Sequence, residues 1–298
     1  MTTSGSSGPA SFRRALRRAA PGLARDLPWI NHGDPWAVLV SEFMLQQTSV
    51  TRVREPWRRF LTRFPTATSC ADAALAEVMR HWEGLGYHRR AKALHDSATM
   101  IRDRFGGQVP NDVERLRQLP GVGEYTAHAV ASFAFARRVA VLDTNVGRVL
   151  ARAVANRPLG HREAATMAQE LLPTRDSARF NQAMIDLGAQ YCRARPHCDT
   201  CPVARSCRWN LEGGIDPAPR SAAVSRPQAP FAGSDRQLRG RLLAELRCGP
   251  RSCATLHERL AMEPAKGEHL LAQLVRDGLV ERRAGLVQLV GDHTSPGR

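Results

Sequence analysis

Four cysteines in the second half of the chain have the spacing C-x5-C-x2-C-x5-C and lie within sixteen residues. Thiols placed this densely can bind zinc, hold an iron–sulfur cluster or form disulfide bonds. We expect no disulfides, because the sequence shows no secretory signal. The single C-x2-C pair with one cysteine on each side favours an iron–sulfur cluster over zinc by a small margin, and spacing alone leaves both open. The four residues are Cys192, Cys198, Cys201 and Cys207.

A second chemical feature is the segment LPGVG at residues 119–123. It separates a short polar helix, predicted at residues 113–118, from a helix of small apolar residues, predicted at 125–136. Pro120 ends the first helix, while Gly121 and Gly123 permit a tight hairpin that a Cβ atom would strain. The free N–H groups that begin the second helix can bind an anion such as a DNA phosphate. In isolation the motif is more often an ordinary joint between helices than an anion-binding hairpin.

The composition indicates a nucleic-acid partner. The chain has 43 Lys+Arg against 28 Asp+Glu, a formal net charge of +15, and a pI near 10.9. Almost all of the positive charge is arginine, which suits bidentate contact with phosphate. No apolar run is long enough to span a membrane, so we expect a cytoplasmic, nucleoid-associated protein.

The elements that must position these residues are almost all helices. Apolar residues recur at helical spacing from residue 12 onward, so the fold is predicted to be all-α. Residues 1–11 are expected to be disordered, residues 12–210 to form the main helical region, and residues 211–234 to form a Pro/Gly/Ala/Ser-rich linker. Residues 235–292 read as a small winged-helix-like domain, with three helices followed by two short strands. Further helices are predicted at residues 70–82, 89–105, 144–154, 162–172 and 179–191.

Four further motifs complete a recognisable set. They are SEFMLQQT at 41–48, GLGY at 84–87, LDTNV at 142–146 and FNQAM at 180–184. Together with the hairpin and the cysteine loop, they resemble the helix-hairpin-helix base-excision glycosylases that carry a 4Fe-4S cluster, and among these the A/G-specific adenine glycosylases of the MutY family. The resemblance covers residues 27–209 in family order.

This resemblance implies a two-lobed glycosylase fold, with a six-helix lobe at about residues 30–140 and an iron–sulfur lobe formed by residues 12–29 and 141–210. It also implies removal of adenine from double-stranded DNA containing A:G or A:8-oxoguanine mispairs, by a monomer. Adenine is a poor leaving group, so breaking its glycosidic bond needs a proton on the base and a negative charge beside the sugar cation.

The resemblance implies that Glu42 protonates adenine at N7 and that Asp143 stabilises the sugar cation. Glu42 lies among apolar residues, where desolvation is expected to raise its pKa. An exposed helix position for Glu42 and a helix N-cap role for Asp143 are the structural alternatives. Tyr125 stands where endonuclease III-type relatives have a lysine that forms a Schiff base, so amine-based lyase activity is not expected.

The remaining implied site residues contact DNA. Gln46, Gln47 and Tyr87 match family positions that wedge into the duplex and probe the opposite strand while the base is extracted. Asn145 and Gln182 match residues near the adenine pocket and the catalytic acid. The alternatives are a packed aromatic for Tyr87 and helix-capping or surface roles for the amide side chains.

The chain departs from the family pattern at three places, one of which is His88, where many relatives have a second tyrosine. The first cysteine gap is five residues instead of the usual six, and the Nudix-like domain that recognises 8-oxoguanine is replaced by the winged-helix-like segment. Preference for 8-oxoguanine therefore depends on the catalytic region alone. The alternatives to an adenine glycosylase are a thymine or uracil mismatch glycosylase, a non-catalytic binder of DNA structure, and a winged-helix regulator with a degenerate enzyme lobe.

Overall fold

The computed structural model describes residues 8–30, 32–221 and 231–292. The described residues are mostly helical. In chain order the elements are α1 (Pro9–Leu23), α2 (Pro35–Leu45), α3 (Val50–Arg63), α4 (Ala67–Ala71), α5 (Leu75–His81), α6 (Arg89–Arg104), α7 (Val113–Leu116), α8 (Glu124–Phe135), α9 (Thr144–Val149), a π-helix (Leu150–Ala155), α10 (His161–Leu171), α11 (Ser177–Gln190), α12 (Arg208–Glu212), α13 (Asp235–Arg247), α14 (Cys253–Arg259), α15 (Pro264–Arg276), β1 (Val280–Arg283) and β2 (Leu286–Leu289).

The chain forms two compact units, each built from two separate stretches. Residues 1–33 and 124–227 form one, here called the cysteine unit, and residues 34–123 and 228–298 form the other, here called the winged unit. This division differs from lobes bounded at residues 30 and 140, and the domain boundaries read from the sequence remain predictions. No helix among the described residues is both long and apolar enough to cross a membrane.

In the cysteine unit, α1 packs against α11. Arg25 Nε donates to Asp186 Oδ1 at 2.5 Å, and the Asp186 side chain is only 1% exposed. The α1 helix begins at Pro9, earlier than the expected start at Phe12, because a proline suits the first helical turn. Residues 9–11 are therefore helical, and residues 1–7 of the expected disordered start lie outside the described residues.

The helix predicted at residues 144–154 changes type in its middle. It is α-helical to Val149, continues as a π-helix over Leu150–Ala155, and ends where Asn156 takes a left-handed conformation with φ of 50°. The π-helix carries Arg152, whose side chain is 1% exposed and forms an ion pair of 2.6 Å with Asp216. Wide helical turns of this kind often occur at functional sites. Asp216 belongs to the predicted linker, so this part of the linker is packed; residues 222–230 lie outside the described residues.

The helix predicted at residues 70–82 is two helices, α4 and α5. His95 on α6 bonds the carbonyl oxygen of Ala73 at 2.9 Å, and Arg102 donates to Asp72 at 2.7 Å. Asp72 keeps helical backbone angles, and the chain leaves the helix by Ala74, which is extended with φ of −64° and ψ of 144°. Tertiary contacts therefore outweigh the local helix propensity from which the single helix was predicted.

The last five elements have the winged-helix order that the sequence predicts. Strands β1 and β2 pair antiparallel, with Val280 opposite Leu289, and Arg251 adds an isolated bridge to Val287. The sequence treats residues 235–292 as a domain of their own. In the structure their elements belong to the winged unit: the amide of Ala76 donates to the carbonyl oxygen of Val290 at 3.1 Å.

A half-buried histidine, His88, predicts that this unit loses stability in acid. Burial, reinforced by the charges of Arg247, Arg90 and Arg239, lowers the pKa of His88 to about 4. In the unfolded chain a histidine pKa is about 6.5, so the unfolded state binds the proton first. The stability that neutral His88 confers is therefore present above pH about 6.5 and is lost as the pH falls toward about 4.

We expect His88→Gln to reduce this acid-induced loss of unfolding free energy by about 1–3 kcal/mol, compared by urea unfolding at about pH 7 and about pH 4.5. The exposed His269 on α15 supplies the control substitution His269→Gln. The same pH dependence in wild type and His88→Gln would contradict this prediction.

Candidate active site

The hairpin after α7 depends on one of its two glycines. Gly121 has φ of +76°, and a Cβ atom there would lie 2.7 Å from Ala93 Cβ and 3.0 Å from Phe43 Cε1. Gly123 has no positive φ and open space where its Cβ would be, so the conformational argument made for both glycines holds for Gly121 alone. Ser97 Oγ fixes the turn by donating to the Pro120 carbonyl oxygen at 2.7 Å.

Adding one methyl group should therefore destabilise the protein at residue 121 but not at residue 123. We expect Gly121→Ala to lower the free energy of unfolding by about 2–4 kcal/mol, because the new side chain is both overpacked and in a left-handed conformation. Gly123→Ala should change it by less than about 0.5 kcal/mol. If urea unfolding showed equal losses of unfolding free energy in the two variants, the turn would not depend specifically on Gly121.

Glu42 is buried on α2. Asp34 caps this helix by accepting from the amide of Trp36 at 2.9 Å, and Pro35 occupies its first position. The helix is apolar on all sides and nearly all of its residues are buried, Glu42 among them with 5% exposure. The alternative of an exposed helix position for Glu42 is therefore wrong. An apolar environment of this kind favours the neutral form of a carboxylic acid.

Two side chains expected to contact DNA lie on strained backbone in the winged unit. Gln47, after α2, has φ of 56°, and Tyr87, before α6, has φ of 47°. A left-handed conformation is costly for residues other than glycine, and such strain is concentrated at functional sites. Gln46, which immediately precedes Gln47, is half-buried, whereas Gln47 is exposed.

One buried arginine ties these two segments together. Arg90, 8% exposed, lies in the first turn of α6. Its guanidinium donates to six oxygen atoms from both segments: the carbonyls of Phe43, Met44, Gln46, Leu85 and Gly86, and the hydroxyl of Thr48. Burial lowers the pKa of Arg90 to about 10, so it stays charged at neutral pH. Sequence reasoning missed Arg90. The available signal was a cation in a helical first turn, where the helix dipole disfavours it.

In the cysteine unit, Asp143 is the N-cap of α9, as one structural alternative expected. Its Oδ1 accepts from the Val146 amide at 2.7 Å, and its Oδ2 accepts from Asn145 Nδ2 at 2.7 Å. Burial raises the pKa of the Asp143 carboxyl, while these bonds and the charge of Arg148 oppose the rise. The cap leaves the carboxylate fixed in one orientation.

A chain of hydrogen bonds connects Asp143 to the first cysteine. Arg148 Nη2 donates to Asn145 Oδ1 at 2.6 Å, and Arg148 Nε donates to the carbonyl oxygen of Cys192 at 2.7 Å. Gly188 on α11 permits the close packing, because a Cβ atom there would lie 2.5 Å from Asn145 Cβ. The carboxylate and the cysteine loop are therefore coupled through two side chains.

The other expected site residues of this unit have distinct surroundings. Tyr125, with Leu142 and His128, lines a cavity of about 400 Å³. Gln182 donates to Asp186 at 3.0 Å. Its neighbour Asn181, 3% exposed, bonds Ser132, Val139 and Val141 and so fixes the segment that precedes Asp143.

The four cysteines line one cavity, whose other walls are largely apolar. Within the described residues, no three His, Cys, Asp or Glu side chains lie close enough together to hold a single metal ion. Arg152 Nη1 approaches Cys192 Sγ at 3.5 Å. The donor set therefore consists of four sulfur atoms around a shared space, with a positive charge beside it.

Comparison with known proteins shows which family this chain resembles. The family model described as "HhH-GPD superfamily base excision DNA repair protein" matches residues 40–174. An adenine DNA glycosylase of Mycolicibacterium smegmatis is 45% identical over 276 residues, which cover 90% of this chain and 92% of that protein. The Homo sapiens adenine DNA glycosylase is 40% identical over 216 residues, covering 66% of this chain and 39% of its own.

Solved structures are similar as well. A thermostable thymine-DNA glycosylase has a TM-score of 0.63 at 26% identity, over 68% of this chain and 97% of its own. An endonuclease III trapped as a covalent intermediate with DNA has a TM-score of 0.59 at 25% identity, over 71% of this chain and 99% of its own.

The hairpin, the all-α fold and the matching family model define a helix-hairpin-helix protein of base excision DNA repair. Within that class, the chain belongs to the MutY-type adenine DNA glycosylases. It is an N-glycosylase that removes adenine and acts on DNA. The greater identity to adenine glycosylases than to the thymine glycosylase, 45% against 26%, favours this function over the thymine alternative.

Proposed function

We propose that this glycosylase hydrolyses adenine from A:G and A:8-oxoguanine mispairs, with Glu42 as the acid that protonates the base and Asp143 as the carboxylate that stabilises the sugar cation. The observation that carries the proposal is the contrast between their environments. Glu42 is 5% exposed on an apolar helix, whereas the two oxygens of Asp143 accept hydrogen bonds from an amide N–H and a side-chain amide. Two carboxyl groups held in different states are what this chemistry requires.

The reaction is proposed to stop at the abasic site. Schiff-base lyase chemistry needs an unprotonated lysine near the sugar, and position 125 holds a tyrosine. The only lysines of the chain are ion-paired, Lys92 with Asp96 at 2.5 Å and Lys266 with Asp235 at 2.6 Å.

DNA contact is proposed at the residues that the family motifs indicate. Gln46, Gln47 and Tyr87 would enter the duplex, and the N–H groups following Gly121 and Gly123 would bind a phosphate. Asn145 and Gln182 are assigned to the adenine side of the site, with Tyr125 beside the sugar. We propose that the protein acts as a monomer on nucleoid DNA in the cytoplasm.

Cys192, Cys198, Cys201 and Cys207 are proposed to hold a 4Fe-4S cluster. Four thiols that line one cavity provide the all-cysteine ligand set that such a cluster requires. When bound, such a cluster would supply iron–thiolate bonds that would cross-link residues 192 to 207. The five-residue first gap does not prevent Cys192 from lining the same cavity as the other three.

The test uses purified protein and duplexes with A opposite 8-oxoguanine, A opposite guanine, or T opposite guanine. We expect strand breaks only after alkali, and only with the two adenine duplexes. Cleavage of the thymine duplex would overturn the adenine assignment of this site. Breaks without alkali would overturn the hydrolytic mechanism.

The bond chain from Asp143 to Cys192 leads to a further prediction. Arg148→Met should lower the single-turnover rate of adenine release by about 10- to 100-fold, because hydrogen bonds made by a charged group are lost next to Asp143. Arg162→Met, at an exposed position of α10, is the control. A rate equal to that of the control would show that this arginine does not support the carboxylate.

A further inference from the structure

The C-terminal elements contact the loop that carries Tyr87. This loop, residues 83–88, is here called the wedge loop. Arg247 on α13 donates to Glu83 at 3.1 Å, and Asp277, after α15, accepts from both Arg89 and Arg239. The Asp277 side chain is 8% exposed; its partner Arg239 is 20% exposed and its partner Arg89 is 70% exposed. The winged-helix-like segment thus contacts Glu83, the first residue of the wedge loop, and Arg89, which directly follows the loop.

One residue of this segment touches Tyr87 itself. Arg236, in the first turn of α13, donates from Nη1 to the Tyr87 hydroxyl at 3.1 Å. Its guanidinium carbon lies 5.7 Å from the centroid of the Tyr87 ring and 5.2 Å from that of Phe231. The Phe231 side chain is 55% exposed. Arg236 therefore joins Tyr87 to an exposed aromatic residue of the C-terminal segment.

Tyr87 needs such support because its conformation is costly. Its φ of 47° is left-handed, and only surrounding contacts can hold it there. Arg90 supplies one set of contacts from α6, with its guanidinium carbon 5.2 Å from the ring centroid. Arg236 supplies the other from α13. Cation–π contacts and a hydrogen bond together restrict both the ring and its hydroxyl.

We propose that Arg236 is a positioning residue for Tyr87, and that the C-terminal segment thereby sets how strictly the enzyme reads the base opposite adenine. The proposal rests on the proposed entry of Tyr87 into the duplex. It gives the winged-helix-like segment a role in specificity through a contact with the wedge loop.

The decisive variant is Arg236→Met in the full-length protein. Methionine has a comparable length and can pack on Phe231, but it has neither the charge nor the donor. We expect the preference for A opposite 8-oxoguanine over A opposite cytosine, measured as a ratio of single-turnover rates, to fall about tenfold. The thermal midpoint should stay within about 2 °C of wild type. Arg241→Met, at an exposed position of the same helix, is the matched control and should preserve the ratio.

A fluorescence measurement distinguishes positioning of Tyr87 by Arg236 from general stabilisation of the fold. A duplex carrying 2-aminopurine beside the opposite base should brighten when wild type binds, because the inserted ring disturbs base stacking, and should brighten less with Arg236→Met. Arg236→Lys, which keeps the charge and a donor, should recover part of the signal. An unchanged ratio and unchanged fluorescence in Arg236→Met would overturn the proposal, as would a loss that follows the thermal midpoint.

Tyr87→Ala distinguishes this inference from the function on which it rests. If Tyr87→Ala leaves the fluorescence and the ratio intact, the proposed insertion of Tyr87 itself fails. If Tyr87→Ala loses both but Arg236→Met does not, only the role of Arg236 fails. If Arg236 acts through Tyr87, the double variant should be no worse than Tyr87→Ala, because the two losses are not additive. Fully additive losses would overturn the proposal.

Discussion

Asp143→Asn is expected to lower the single-turnover rate of adenine release by about a thousandfold or more. The amide keeps the shape of the side chain, and its oxygen can still accept from the Val146 amide, so the cap of α9 is retained. The negative charge that would stabilise the sugar cation is removed. Rapid-quench kinetics on an A:8-oxoguanine duplex measures the rate, and the thermal midpoint checks that the fold is intact.

The pH profile of the wild type provides an independent check on Asp143. Because burial raises the pKa of this carboxyl, the charged form is lost at a higher pH than for an ordinary aspartate. The rate should therefore decline on the acid side at a pH above the usual aspartate range of about 3.9. Asp143→Asn should abolish this part of the profile. If Asp143→Asn kept a rate of adenine release near that of the wild type, Asp143 would not take part in the mechanism.

Glu42→Gln is expected to lower the same rate by about 10²- to 10⁴-fold, because the amide cannot supply the proton that makes adenine a better leaving group. Binding to mispaired DNA should be retained, since the side chain is buried and its shape is preserved. Single-turnover kinetics and a gel-shift titration measure the two properties separately.

Glu77→Gln is the control for this variant. Glu77 lies in the same unit and forms an ion pair with Arg63, with both side chains substantially exposed. It should retain both activity and binding. If Glu42→Gln keeps the rate as well, another group must protonate the base. If it loses DNA binding along with the rate, the substitution has disturbed the site and not the proton transfer alone.

Much of the fold could be predicted because local signals agree with tertiary packing over most of the chain. Asp34 and Pro35 mark the start of α2, and the structure places the cap and the first turn there. The order of three helices and two strands near the C-terminus also follows from the sequence pattern, because hydrophobic periodicity and the turn at Gly285 point to the same elements.

The failures share a physical cause, which is contact between residues distant in the chain. The break between α4 and α5 depends on His95 and Arg102, more than twenty residues away. Arg90 could not be assigned to the site because its six acceptors become neighbours only after α2 and α6 pack together. Periodicity within one segment carries no information on such partners.

Some residues of the candidate site could be predicted from the sequence, and others could be found only from the structure. Family motifs indicate Glu42 and Asp143, and the fold adds their environments, a buried position for one and an oriented cap for the other. Asn181 and Arg148 act on the surroundings of Asp143 and needed the structure to be found. The sequence motif FNQAM includes Asn181, but only the geometry separates its structural role from that of Gln182.

Each unit is formed from two separate stretches of the chain, and this has a consequence for synthesis on the ribosome. Helix α1 is made first, yet the partner that buries it, α11, emerges much later; the Arg25–Asp186 pair spans 161 residues. The apolar face of α1 must therefore remain uncovered while the intervening helices are translated. We expect nascent chains that stop before residue 177 to expose Phe12 and Leu16 to chaperones, and protection of these residues from proteolysis to begin only after α11 has left the exit tunnel.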